Sequence, residues 1–96
     1  MDFKILYTET ALADLEAVMS WSWEKHPETS ERFATELLNH VDLLSSFPYL
    51  GVPVKTFPGV RSLLHSPIHV YYNVDENRKL IEILHFWHGA RRYPKP

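Results

Sequence analysis

Three prolines and two glycines crowd the stretch from Phe47 to Gly59: Pro48, Gly51, Pro53, Pro58 and Gly59. Proline lacks the amide donor that a helix or interior strand needs at every residue, and glycine is the most costly residue to order. Such a density therefore excludes a regular interior element. The segment is a long loop, and it divides the chain into two parts with different periodicities. With 96 residues there is room for one hydrophobic core, so both parts must contribute to a single domain.

Upstream, Phe3 to Tyr7 is rich in β-formers and reads as a first strand ending at Thr8. Thr8 is a suitable N-cap, and Glu9 and Asp14 place negative charge toward the positive end of a helix dipole. Ala11, Leu15, Val18, Met19 and Ser22 then fall on one helical stripe, which predicts a helix over about residues 9–25. Lys25 and His26 suit its end. Pro27 breaks it and is also acceptable in the first turn of a second helix. Phe33, Leu37, Val41 and Leu44 carry that second helix to about residue 46. The short connection makes the two an antiparallel hairpin.

Downstream, Val60–His65, Ile68–Val74 and Leu80–Phe86 are separated by Ser66-Pro67 and by Asp75-Glu76-Asn77-Arg78. Short runs joined by brief turns predict an antiparallel meander. Ile68, Val70, Tyr72 and Val74 alternate with His69, Tyr71 and Asn73, so one face of the middle strand is apolar and should receive the hairpin. The expected class is α+β: strand, helix, helix, strand, strand, strand, with both helices on one face of the sheet. Residues 1–96 form one domain, without internal repeats.

The chain contains no cysteine, which excludes disulfides, thiolate metal sites and a cysteine nucleophile. The apolar run at the N-terminus is too brief for a signal-peptide core or a membrane span, and a cytoplasmic location is expected. Ten basic against twelve acidic residues leave a net charge of −2, so any nucleic-acid contact has to be local. Residues 85–96 are the basic end: His85, His88, Arg91, Arg92 and Lys95, with no acid among them.

Five local motifs, in order, carry a resemblance. Ala11-Leu12-Ala13-Asp14-Leu15 is similar to an Ala-x-x-Asp-Leu run, and Leu43 to Gly51 is similar to a leucine, proline and glycine helix exit. Gly59-Val60-Arg61-Ser62-Leu63 resembles a Gly-x-Arg-x-Leu strand start, and Val70-Tyr71-Tyr72-Asn73-Val74 resembles a middle strand. His85-Phe86-Trp87-His88-Gly89-Ala90-Arg91 resembles a His-Gly-Ala-Arg ending. Together they resemble the RelE/ParE toxins of type II toxin–antitoxin (plasmid stabilisation) modules, with the His-Gly-Ala-Arg ending pointing to the ParE-like branch. The resemblance implies the RelE/ParE-like fold, no cofactor, and a cognate antitoxin that wraps the toxin, in a hetero-oligomer or with a toxin dimer. It also implies one of two targets: DNA gyrase, poisoned by ParE-like members, or the ribosome and its mRNA, cleaved by RelE-like members. A non-toxic binding domain on the same scaffold is the remaining class.

Cleavage of RNA without metal requires a base for the 2′-hydroxyl, cations around the phosphate and an acid for the leaving oxygen. Arg61 with Arg91 or Arg92 is the candidate phosphate clamp, His88 or His85 the candidate proton shuttle, and Tyr93 a base-stacking or hydrogen-bonding group. Arg61, His88, Arg91 and Tyr93 thus form the candidate catalytic set, and Lys55, Arg61, Arg91 and Arg92 the target- or phosphate-binding set. Arg61 and the arginine after the last strand occupy positions similar to the phosphate-binding arginines of RelE-type nucleases. Those nucleases are, however, strongly basic, with lysines near the loop after the second helix, whereas Lys55 is the one lysine in this loop. That favours gyrase as the target. Arg61 also has a structural alternative, an ion pair with Glu82 across the sheet. His85 is expected to hydrogen-bond to backbone. His65, His69, His85 and His88 show no ligand spacing of a known metal class. Trp21 and Trp23 project about 200° apart on a helix and cannot share one core. One is expected at the surface, so Trp21, Trp23 and Trp87 are the candidate partner-binding residues, a dimer contact being the alternative.

Overall fold

The computed structural model describes residues 2–89. The elements are β1 (Lys4–Tyr7), α1 (Glu9–Lys25), α2 (Ser30–Asp42), β2 (Val52–Pro53), β3 (Arg61–His65), β4 (Ile68–Asp75) and β5 (Leu80–His88), with a 3-10 turn at Leu43–Ser45. Among these described residues no helix is long and apolar enough to cross a membrane.

Thr8 caps α1 from an extended backbone, its hydroxyl accepting from Ala11 N (3.1 Å) and donating to Ile83 O (2.8 Å). One side chain thus begins the helix and ties that beginning to the sheet. At the other end Pro27 disfavours helical geometry in the residue before it. His26 accordingly leaves the helix at φ −141° and ψ 62°, while its amide still closes on Ser22 O at 2.7 Å. Pro27 therefore lies in the connection and not in the first turn of α2, which starts after Thr29. The helical period continues past Asp42 as the 3-10 turn. There the Ser45 hydroxyl donates to Phe3 O (2.7 Å) and Ser45 O accepts from Phe3 N (2.9 Å). These bonds to the lead-in of β1 take up the turn's polar groups and hold it to the sheet edge.

The sheet has five strands in the order β1-β5-β4-β3-β2. The expected meander is present as β3-β4-β5, antiparallel throughout, but the sheet as a whole is mixed because β1 pairs parallel to β5. A second addition is β2, two residues of the proline-rich loop paired with β3 at the opposite edge. Proline is tolerated there because an edge position leaves one side of the strand without ladder bonds.

Ile68, Val70 and Tyr72 are buried on one face of β4 as the alternation requires, and Leu37, Val41 and Leu44 cover them. Strand β5 presents Ile81, Ile83 and Phe86 to the same core, a spacing that simple alternation forbids. The register resolves it: Tyr72 faces Ile83 while Tyr71 faces His85, so Leu84 is an extra residue, a bulge that resets the phase of the strand. Tyr71, on the opposite face by alternation, is also buried.

Candidate functional site

The loop from Phe47 to Gly59 is held by two side chains. Tyr72, fully buried, donates its hydroxyl proton to Pro48 O (2.9 Å) and accepts from Gly51 N (2.9 Å). The chain passes so close that a Cβ at Gly51 would lie 2.6 Å from Ser62 O and 2.8 Å from the Tyr72 hydroxyl oxygen, so only glycine fits there. Arg61 grips the loop from the start of β3. Its Nε donates to Gly51 O (3.1 Å), and its Nη2 donates to Gly51 O (2.7 Å) and Tyr49 O (3.3 Å). The guanidinium also lies 5.1 Å from the centre of the Tyr49 ring. The Tyr49 hydroxyl in turn bonds Glu76, and that carboxylate raises the phenol above its ordinary pKa.

Arg61 therefore has a structural partner, but a different one from Glu82. Arg61 is in register with Tyr72, and Tyr72 with Ile83, both core residues. Glu82 alternates onto the other face of the sheet and is out of reach. Lys55 lies exposed in the turn between β2 and β3.

A second assembly forms where β1 ends. Helix α1 runs on beside the second half of β5: Thr8 bonds Ile83, Asp14 bonds His85, and Trp21 packs edge-on against His88 with ring centres 4.6 Å apart. The His85 contact is a 2.9 Å bond from Nδ1 to Asp14 Oδ2, between two side chains each about one-fifth exposed. A carboxylate only accepts, so Nδ1 carries the hydrogen. His85 thus bonds a side chain of α1 and not the backbone. Between α1 and β5 lies an open cleft of about 250 Å³ lined by Asp14, Ala17, Val18, Trp21, Phe86, Trp87 and His88. Trp87 Nε1 is buried and has no hydrogen-bond partner among the described residues.

The two tryptophans of α1 diverge as their spacing requires. Trp21 turns inward against Phe33 (ring centres 6.4 Å apart) and the cleft, while Trp23 is 64% exposed. The structure therefore brings Trp21, Trp87 and His88 together. It does not bring Arg61 to His88. His88 is in register with Ile68 on β4 and Arg61 with Tyr72, and four residues of strand separate these by about 13 Å. Arg91, Arg92 and Tyr93 lie outside the described residues. Among the described residues no group of three or more His, Asp or Glu side chains is placed to hold a metal ion.

Sequence reasoning did not anticipate Asp14 as the partner of His85, Tyr72 as the anchor of the loop, or a contact between His40 and His65. Asp14 sits 71 positions from its partner, and no local pattern signals such a pairing.

Residues 5–93 match the family described as ParE toxin of type II toxin–antitoxin system, parDE. In three dimensions the chain is similar to a chain of the chromosomal ParDE TA system from P. aeruginosa. That likeness has a TM-score of 0.76 at 26% identity and covers 90% of this chain and 95% of the other. It is similar also to a chain of the toxin–antitoxin complex RelBE2 from Mycobacterium tuberculosis, with a TM-score of 0.69 at 22% identity over 92% and 99% of the two chains. The second likeness is one of fold. No curated protein sequence matches the chain.

Proposed function

The chain belongs to the ParE toxin family of type II toxin–antitoxin systems, and on that premise we propose that it arrests growth by poisoning DNA gyrase until a cognate antitoxin neutralises it. The observation that carries this reading is a family match running from β1 through the basic end, residues 5–93. The choice of target rests on Arg61. Its Nε and Nη2 donate to the carbonyls of Tyr49 and Gly51, which occupies the Nε/Nη2 fork that a side-on bidentate phosphate contact would use. His88 lies some 13 Å further along the sheet by strand rise, so Arg61 and His88 do not meet on one phosphate. The net charge of −2 points the same way, because affinity for a ribosomal surface grows with the number of phosphates a protein neutralises.

The antitoxin is assigned to the α1 side of the molecule. Trp23 is the exposed aromatic of this helix, and the cleft walled by Trp21 and Trp87 runs along the same helix on the side that Trp21 faces.

Induced expression without antitoxin, scored separately for replication and translation, tests the reading. DNA-damage signalling with gyrase-dependent cleavage complexes is the expected result, relieved by co-expressing the antitoxin from the neighbouring reading frame. Intact chromosomes with rapid loss of translation would transfer the assignment to mRNA cleavage. Normal growth with abundant folded protein would leave a binding domain that is not toxic.

A further inference from the structure

Helix α2 and strand β3 meet through two histidines. His40 lies in the last turn of α2 and His65 ends β3; their Nδ1 atoms are 2.9 Å apart, and the ring centres 5.1 Å apart at an inclination of 60°. Both side chains are half-buried. A neutral imidazole has one N–H and one bare nitrogen, so this contact requires one ring to donate from Nδ1 and the other to accept at Nδ1. One added proton is compatible with it: the donor ring becomes a cation and the acceptor stays bare. Two are not, because both Nδ1 atoms then carry hydrogens directed at each other and two like charges stand about 3 Å apart.

We propose that the His40–His65 pair is a proton-operated clasp between α2 and β3, closed while the pair holds at most one extra proton and opened by the second. The groups around it fit this role. Helix α2 faces His65 with Phe33, whose ring centre is 5.7 Å away, and with Glu36 and His40. Strand β4 meets it with the apolar Ile68. Among the described residues Glu36 is the counter-charge that acts on His65, but its side chain is 59% exposed and 3.7 Å from Arg32, so water and the arginine screen it. Burial first, then the neighbouring His40, hold the His65 pKa below the ordinary imidazole value, with Glu36 acting in the opposite sense.

The sign of the response follows. A histidine whose pKa is depressed by folding contributes stability above its unfolded value, about 6.5, and that contribution is lost as pH falls through the lower folded value. The loss is local. Leu37 and Val41 still anchor α2 in the core, so opening frees the contact with β3 without dispersing the domain.

Proton NMR of the imidazoles in the intact chain, from pH 8 to pH 4, with amide hydrogen exchange read alongside, tests the clasp. The proton that opens the clasp should be taken up below pH 6.5, read at His65, whose burial and His40 neighbour hold its pKa down. Across that step the opening constant of amides 36–42, corrected for intrinsic exchange, should rise severalfold. In His65→Gln, whose amide donates and accepts without titrating, that rise should vanish. His40→Gln gives the same reading if the first variant does not fold. Proton uptake at His65 at or above pH 6.5 with no acceleration, or an equal rise in wild type and the glutamine variants, would overturn the proposal.

Discussion

Tyr72 illustrates how one side chain can decide the course of a segment that is otherwise short of structure. Its aromatic body is core, in the cluster with Val70 and Ile83, while its hydroxyl answers two backbone groups of the loop, Pro48 O and Gly51 N. Tyr72→Phe keeps the packing and leaves a buried amide without its acceptor, so a stability loss of about 1–3 kcal/mol is expected in urea unfolding. Gly51→Ala attacks the same junction sterically. The new methyl meets Ser62 backbone at 2.6 Å, which cannot yield as a flexible side chain would, and a cost of about 1–3 kcal/mol is expected. Unfolding midpoints of both variants equal to wild type would show that the loop is not held here. The alternating pattern of β4 identified Tyr72 as a core residue. It carried no information about the hydroxyl, whose partners lie 21 and 24 positions upstream.

At the scale of elements, the joints matter more than the elements. The span of α1, residues 9–25, was readable because its signals are local: a capping threonine, an apolar stripe and a proline two residues past the end. The end of α2 was less readable, since tertiary bonds from Phe3 to Ser45 convert its last turn. Thr8 sits at the joint between β1, α1 and β5, and Thr8→Ala removes both the cap on Ala11 and the bond to Ile83 O. A loss of about 1–2 kcal/mol is expected, the larger end of the range for caps because a second bond goes with it. Thermal unfolding checks it, and Thr8→Ser should recover most of the loss.

Over the whole molecule, the hairpin and the mixed sheet enclose one core and leave two distinct outer regions, the loop gripped by Arg61 and the cleft between α1 and β5. The proposed antitoxin surface takes in the second together with the exposed Trp23 of the same helix. Trp23→Ala should leave the unfolding free energy within about 0.5 kcal/mol of wild type, because the ring is largely in water. It should nevertheless weaken binding of the cognate antitoxin by at least about tenfold if that ring is an anchor. Isothermal titration of wild type and variant separates the two effects; unchanged affinity would remove Trp23 from the interface.

Periodicity, proline and capping residues were enough, read along the chain, to establish the α+β class, the helical hairpin, the three-stranded meander and the exposure of one of the two tryptophans. Each of these depends on residues within a few positions of one another, where sterics and amphipathic spacing act directly. The parallel placement of β1, the bulge at Leu84, the grip of Arg61 on Gly51, and the Asp14–His85 and His40–His65 contacts were decided only when distant segments came together. A polar side chain has several acceptable partners, and packing of the core selects among them according to which distant segments it brings within hydrogen-bond reach.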